Sequence, residues 1–145
     1  ASVVANQPDC ERIINFGTAG TLRTELVGQL HDVGLVRQRD MDARPVMELG
    51  ITPFDPDLIN GDLKVSDSDI VLSTGDNFVT STPELDSDLV DMEGYAIVKV
   101  AMLKGQGIQI LKYASDLAND AAADDWKKNQ SNGAQLFVDY IKAHY

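Results

Sequence analysis

Three short stretches of small and polar residues follow directly after apolar runs in this sequence. They are GTAG at 17–20, STGDNF at 73–78 and YASDLAND at 113–120. In open α/β sheets, ligands bind in the crevice outside the carboxyl ends of the strands, so three such exits can line one site. Each exit taken alone is typical of a turn that uses Gly, Asp and Ser for backbone reasons. Together they predict a ligand site at one edge of a sheet.

A single glutamate, Glu93, stands in LVDMEGYAIVKVA (89–101), where a strand-like run meets a helix-like run. The ordinary interpretation is an acid in the first turn of a helix, which the helix dipole favours. The same position also lies at a strand exit, where a carboxylate can face a ligand. The residues alone leave both interpretations open.

The pattern of apolar residues predicts one α/β domain over residues 1–145, with a mixed, largely parallel central sheet flanked by helices. Strands are expected at 11–17, 31–41, 68–76, 88–92 and 108–116, and helices at 93–105 and 124–145. Residues 1–9 are interpreted as the end of another helix that Pro8 stops, and GTAG as a tight exit from the first strand. The segment 38–66 is expected to be a long surface loop.

The overall composition excludes several classes of function. A net charge of −11 would repel phosphate backbones, so we expect no nucleic-acid partner. No stretch approaches the roughly 20 apolar residues of a membrane span, so no membrane association is expected. The single cysteine, Cys10, excludes an internal disulfide and fits the reducing cytoplasm. The two histidines, His31 and His144, come with no metal-binding motif, so neither a metal nor another cofactor is expected.

Taken in order, INFGTAG, STGDNF, VDMEGYAIVKVA and YASDLAND resemble the motifs of the purine nucleoside phosphorylase and nucleosidase superfamily. The closest similarity is to 5′-methylthioadenosine/S-adenosylhomocysteine nucleosidases, and it is weakest in the 38–66 loop. The resemblance implies a nucleoside phosphorylase-like fold, a purine nucleoside as the small-molecule ligand, and a homodimer.

The resemblance also implies roles for the two acids at the strand exits. Asp116, after Ser115, matches the aspartate that donates a proton to purine N7 as the glycosidic bond breaks. Glu93, after Met92, matches the glutamate that accepts hydrogen bonds from the ribose 2′- and 3′-hydroxyls. One acid on the base and one on the sugar agree with the way paired carboxylates divide the work in glycoside chemistry.

Further roles follow from the same resemblance. Phe78 matches an aromatic ring that stacks on the base, and Val79 lies next to the base edge. Thr18, Ala19 and Gly20 match the loop beside the sugar and the attacking nucleophile.

The nucleophile distinguishes hydrolysis from phosphorolysis. Phosphorylases of this superfamily carry an arginine two positions before the first glycine of the GTAG-type loop, where it holds phosphate, and here that position is Asn15. Without the guanidinium, phosphate loses a planar bidentate partner, so water is the expected nucleophile. In the alternative, a phosphorylase, another cation such as Arg37 or Arg39 would serve. A nucleoside-binding relative without turnover is a further alternative.

Two departures from the family pattern are expected. Family members have a preceding segment with the first strands and a glutamate thought to activate the attacking water, and no residue of this chain matches that glutamate. The fold is therefore expected to be an N-terminally incomplete version. The connector from Phe78 to Glu93 is shorter than in bacterial nucleosidases, so the helix usually found there is expected to shrink.

Overall fold

The computed structural model describes residues 10–145, so the helix end expected before Pro8 lies outside the described residues. The strands in this part of the chain are β1 (Arg12–Thr21), β2 (Leu30–Asp32), β3 (Leu35–Gln38), β4 (Leu63–Lys64), β5 (Val71–Thr74), β6 (Leu89–Asp91) and β7 (Gly107–Leu117). The helices are α1 (Gly94–Leu103), α2 (Ala122–Asn129) and α3 (Gly133–His144), and Thr24–Leu26 form a short 3₁₀ helix.

The strands form one mixed sheet in the order β2-β7-β1-β6-β5-β3-β4. The pairs β1·β7, β3·β5 and β5·β6 are parallel, whereas β1·β6, β2·β7 and β3·β4 are antiparallel. The longest ladder is the parallel one between β1 and β7, which are also the two longest strands. The mixed α/β sheet expected from the sequence is confirmed.

Helices cover both faces of the sheet. On one face, buried side chains such as Leu72 of β5 and Ile110 of β7 pack in one cluster with Val98 of α1. On the other, the ring of Phe16 in β1 stacks on Phe137 of α3, with centroids 4.2 Å apart. The strands are thus held between helices on both faces.

The GTAG stretch is part of β1 rather than a tight exit, so that expectation is wrong. The register between β1 and β7 shifts within it, because Ala19 pairs with Ala114 but Gly20 pairs with Asp116. Ser115 is therefore an extra residue in β7, a β-bulge of the kind that redirects a neighbouring side chain. A Cβ added to Gly20 would lie 3.1 Å from Asp116 Oδ2, so a residue without a side chain lets the acid approach.

The stretch expected as one strand at 31–41 forms two strands in different parts of the sheet. β2 pairs with β7 at one edge, whereas β3 lies between β5 and β4. The chain crosses over at Gly34, where a Cβ would lie 1.7 Å from the backbone oxygen of Ser68. This close approach of two backbone segments requires glycine and interrupts the strand.

The C-terminal tail forms two helices, not the single helix expected at 124–145. The chain breaks at 130–132, between α2 and α3. Gly133 then begins α3 and is buried against Tyr113 of β7, where a Cβ would lie 2.5 Å from the tyrosine ring. The break lets α3 pack closely on the sheet.

The long loop expected at 38–66 is irregular apart from β4, and ion pairs anchor its second half. Arg37 donates two hydrogen bonds to the Asp62 carboxylate, at 2.8 and 2.7 Å. Lys99 of α1 contacts carboxylate oxygens of both Asp55 and Asp57 at 2.5 Å. The loop is therefore tied to the sheet and to the helix that follows Glu93.

Candidate active site

A cavity of about 310 Å³ opens where the ends of β1, β5, β6 and β7 meet the start of α1. Its wall consists of Thr18, Ala19, Gly20, Arg39, Asn77, Phe78, Val79, Val90, Asp91, Met92, Glu93, Asp116 and Trp126. The stretches singled out in the sequence therefore meet in one place, although they lie up to about a hundred residues apart along the chain.

Every site residue expected from the sequence lines this cavity except Ser115. Ser115 is buried behind the wall, and its hydroxyl donates a hydrogen bond to Asp116 Oδ1 at 2.6 Å. The structure thus brings the expected residues together, and their chemical roles remain predictions.

Asp116 is a buried acid of the cavity wall, with 4% of its surface exposed. Burial raises the pKa of its carboxyl above the ordinary value, because the charged form loses hydration. The hydrogen bond from Ser115 opposes this shift, and the negative charge of Asp125 adds to it. A carboxyl group with a raised pKa holds its proton closer to neutral pH, which suits a general acid.

Glu93 lies at the junction of β6 and α1, but its side chain does not cap the helix. Asp91 Oδ2 accepts a hydrogen bond from the Gly94 N–H, and Thr74 Oγ1 accepts one from the Tyr95 N–H, both at 2.9 Å. Within residues 10–145, the Glu93 carboxylate makes neither a hydrogen bond nor an ion pair. It is exposed on the cavity wall, where its oxygens can accept hydrogen bonds from a ligand.

Phe78 and Val79 form an apolar part of the wall. The Phe78 side chain is 46% exposed, whereas Val79 is buried in a small cluster with Val90 and Ala118. An exposed aromatic ring at a cavity can stack on a planar ligand. Between Phe78 and Glu93 the chain contains β6 and no helix, as its short length led us to expect.

Trp126 is a cavity residue that the sequence analysis did not assign to the site. Its indole Nε1 donates a hydrogen bond to Thr18 Oγ1 at 3.1 Å and so joins α2 to β1. The two residues are 108 positions apart, and the spacing of the tail indicates only an apolar helical stripe. The break that ends α2 coincides with Ser131-Asn132-Gly133, a turn signal that the helical stripe of the tail overrode in the sequence analysis.

The two arginines considered as phosphate ligands are both bonded to protein groups. Arg37 is paired with Asp62 and lies outside this cavity. Arg39 lines the cavity, but its Nη1 and Nη2 donate to four backbone carbonyls, those of Ser73, Asp91, Gly75 and Asn77. Burial lowers the pKa of this guanidinium, and its Nε has no partner among the described residues. Arg39, the one of the two that lines the cavity, keeps only its Nε–H and so lacks two adjacent donors for a phosphate.

Asn15 does not line the cavity, and its Oδ1 is buried without a hydrogen-bond partner in the part of the chain that the structure describes. In the same part, no group of three His, Cys, Asp or Glu side chains is placed to hold a metal ion. None of the helices described here is long and apolar enough to cross a bilayer.

The sequence profile of the phosphorylase superfamily matches residues 3–143. Among curated proteins, none matches this sequence. A solved structure with a similar fold is native futalosine hydrolase of Helicobacter pylori strain 26695. It is 20% identical over 97% of this chain and 70% of that one, with a TM-score of 0.84.

Two further solved structures are nucleosidases. A 5′-methylthioadenosine/S-adenosylhomocysteine nucleosidase from Colwellia psychrerythraea 34H, in complex with adenine, is 20% identical over 90% of this chain and 66% of that one, with a TM-score of 0.78. An S-adenosylhomocysteine nucleosidase from Streptococcus pyogenes, in complex with 5-methylthiotubericidin, is 19% identical over 99% and 74%, with a TM-score of 0.79. At these identities the similarity establishes the shared fold.

Proposed function

This chain belongs to the phosphorylase superfamily, and within it we propose that the protein hydrolyses the N-glycosidic bond of adenine nucleosides of the 5′-methylthioadenosine or S-adenosylhomocysteine type. The observation that carries the proposal is that one cavity holds a buried acid with a raised pKa, Asp116, and an unengaged carboxylate, Glu93. The nucleosidases with a similar fold, crystallised with adenine and 5-methylthiotubericidin, support the choice of an adenine nucleoside.

Asp116 is proposed to protonate the leaving base. As the bond between sugar and base breaks, electrons flow into the purine, and a proton delivered to N7 makes the base a better leaving group. A positioned general acid contributes roughly 10²–10⁴-fold to such a reaction. The raised pKa of Asp116 increases the fraction of enzyme that carries the proton at neutral pH. Ser115 fixes the orientation of the carboxyl group through its hydrogen bond to Oδ1.

Glu93 is proposed to bind the ribose. Its carboxylate has no partner within the described residues, so it can accept hydrogen bonds from the 2′- and 3′-hydroxyls without first breaking a bond to the protein. A negative charge next to the sugar also favours the positive charge that grows on the ring in an oxocarbenium-like transition state. Phe78 is proposed to stack on the base, with the Val79 backbone beside the base edge and Met92 next to the sugar.

Water is the proposed nucleophile. A phosphate dianion needs cationic donors in a fixed arrangement, but Arg37 lies outside the cavity and is paired with Asp62. Both terminal nitrogens of Arg39 bond to backbone carbonyls, which leaves only its Nε–H. Thr18, Ala19 and Gly20 border the space in which water would attack. No described residue is assigned to activate that water.

We also propose that the protein acts as a homodimer. Three apolar side chains of the 38–66 loop are strongly exposed, with Val46 at 73%, Phe54 at 97% and Ile59 at 57%. Large apolar side chains exposed along one loop are candidates for a surface that another protein covers.

The test is incubation of the protein with 5′-methylthioadenosine in the presence and absence of phosphate, followed by chromatography of adenine and the sugar product. We expect adenine release at the same rate without phosphate. The Asp116→Asn variant, purified identically, controls for contaminating nucleosidases. Release that requires phosphate would make the protein a phosphorylase, and saturable binding without release would make it a binding relative; either result would overturn the proposal.

A further inference from the structure

A buried polar network lies beneath the cavity at the start of α1. Lys112 of β7 is 1% exposed, and its Nζ lies 2.8 Å from Asp91 Oδ2. Thr74 of β5 donates its hydroxyl hydrogen to Asp91 Oδ1 at 2.6 Å. Lysine is almost never fully buried unless it is paired, and the space for this one depends on Gly17, where a Cβ would lie 3.3 Å from Nζ. The ion pair is therefore built into the middle of the sheet.

This network provides the hydrogen-bond acceptors for the first turn of α1. The first N–H groups of a helix have no partner within the helix. Asp91 accepts from the Gly94 N–H, and Thr74 accepts from the Tyr95 N–H. The Asp91 carboxylate is itself held in place by Lys112 and Thr74. Residues of strands β5, β6 and β7 therefore all contribute to the position at which the helix begins.

Glu93 lies in the short segment between Asp91 and Gly94, and the backbone of both flanking residues is held in place. On one side, the Asp91 carbonyl accepts a hydrogen bond from Arg39 Nη1 at 2.7 Å. On the other, Gly94 has no room for a side chain, because a Cβ would lie 2.8 Å from Leu72 Cδ2. The backbone at Glu93 is thus held on both sides, whereas its own carboxylate is bonded to no described residue.

We infer that the buried Thr74–Asp91–Lys112 network positions the Glu93 carboxylate against the ribose. This inference rests on the proposed function, because it assumes that Glu93 binds the sugar hydroxyls. Thr74 and Lys112 do not line the cavity and act as positioning residues through Asp91 and the first turn of α1. A displacement of about 1 Å at a binding group can cost about 100-fold in rate, so the position of this turn matters to the reaction.

Thr74→Val is the primary test, because it removes the hydroxyl but keeps the size of the side chain and the ion pair. The matched control is Thr21→Val. Thr21 is also fully buried; its hydroxyl donates to the Asp88 carbonyl and accepts from the Arg23 N–H, and neither partner belongs to α1 or lines the cavity. Each variant loses one donated and one accepted hydrogen bond. Because the Thr74 hydroxyl donates to a carboxylate and the Thr21 hydroxyl to a carbonyl, Thr74→Val should lose somewhat more thermal stability than the control.

The readout is the ratio of kcat/KM for 5′-methylthioadenosine to kcat/KM for its 2′-deoxy analogue. A residue that is merely structural would lower both values and leave the ratio unchanged. We expect Thr74→Val to reduce the ratio about tenfold and Thr21→Val to leave it unchanged. In a Glu93→Gln background, Thr74→Val should change the ratio by less than about twofold, because the group it positions is already altered.

Lys112→Met is a second variant and should reduce the ratio at least as much as Thr74→Val; if it does not fold, Thr74→Val still decides the question. An unchanged ratio in Thr74→Val, an equal loss in Thr21→Val, or a full additional loss in the Glu93→Gln background would overturn the inference. None of these three outcomes would contradict the proposed hydrolysis of adenine nucleosides. If the unaltered protein cleaves neither nucleoside and binds neither, the proposed function fails and the inference fails with it.

Discussion

The side chain of Asp91 caps helix α1, and the side chain of Glu93 does not. The two acids are two positions apart in the chain but have separate roles. Asp91 is buried and accepts bonds from the helix, the neighbouring strand and a lysine. Glu93 is exposed on the cavity wall and bonds to no described group. Because no described group uses the Glu93 carboxylate, it is available to a substrate, and replacing Glu93 tests that role directly.

Glu93→Gln should therefore weaken substrate binding with little effect on stability. Because the carboxylate makes no bond within the described chain, the free energy of unfolding should change by less than about 0.5 kcal/mol. Loss of the charged acceptor should reduce kcat/KM by about tenfold or more. Glu84→Gln is the matched control, since Glu84 is an exposed acid that bonds to Arg44 outside the cavity. Equal activity in the two variants would contradict the role given to Glu93.

Asp116→Asn should stabilise the protein at neutral pH. Burial raises the pKa of this carboxyl in the folded protein above its unfolded value of about 3.9, so its stabilising contribution is complete below that value and is lost as pH rises through the folded pKa. The variant should therefore resist urea better than the unaltered protein at pH 7, and the difference should shrink toward pH 4. A variant that is less stable at pH 7 would contradict burial as the cause of the shift.

At the scale of elements, the order of strands and helices followed from apolar periodicity, and the errors lie where tertiary contacts override it. The GTAG stretch contains glycines typical of a turn, yet its residues pair with β7 across a bulge. The 31–41 run is apolar enough for one strand, but the crossing of Ser68 at Gly34 divides it. Both features depend on contacts with residues that are distant in the chain, and the local pattern of apolar residues contains no information about such contacts.

From the sequence, the residues that line the cavity could be predicted better than the ends of the strands and helices. Glu93 and Asp116 were identified because their motifs resemble a known family, and the structure places both on one cavity wall. Arg39 and Trp126 also line it, but their positions depend on carbonyls from two strand exits and on a break in the tail helix. Periodicity alone carries no such information.

Helix α1 is also joined to the 38–66 loop, through Lys99. Its ammonium group lies 2.5 Å from both Asp55 and Asp57; burial opposes its charge, but the two carboxylates raise its pKa overall. Lys99→Met should release the loop, and amide hydrogen exchange at 52–58 should accelerate by about tenfold or more. Lys104→Met, on an exposed lysine just after the same helix, should leave exchange unchanged. Unchanged exchange in Lys99→Met would show that the ion pairs do not hold the loop.

At the scale of the whole molecule, the described sheet ends in very short edge strands, β2 with three residues and β4 with two. Such edges offer little backbone for pairing with another chain. The exposed apolar groups of the 38–66 loop are therefore the better candidate for the dimer surface. The net charge of −11 makes two copies repel each other, so the proposed dimer should tighten as salt is added.

Phe54→Asn should weaken the dimer without harming the monomer. Phe54 is 97% exposed and has a φ of 61°, a backbone region that asparagine tolerates better than phenylalanine. Sedimentation velocity at several protein concentrations should show a larger monomer fraction than in the unaltered protein. Leu103→Asn, which removes a 71% exposed apolar side chain at the end of α1, is the control and should leave the dimer intact. Equal dissociation constants for all three proteins would exclude the loop as the interface.

The proton donor is tested by measuring both cleavage and binding of 5′-methylthioadenosine in the Asp116→Asn variant and in the unaltered protein. If Asp116 is the general acid, the rate of adenine release should fall by roughly 10²–10⁴-fold while the dissociation constant changes by less than about threefold. Asp120→Asn, at an exposed aspartate just beyond the same strand, should retain both properties. Adenine release at the unaltered rate, or a loss of binding as large as the loss of cleavage, would contradict the account.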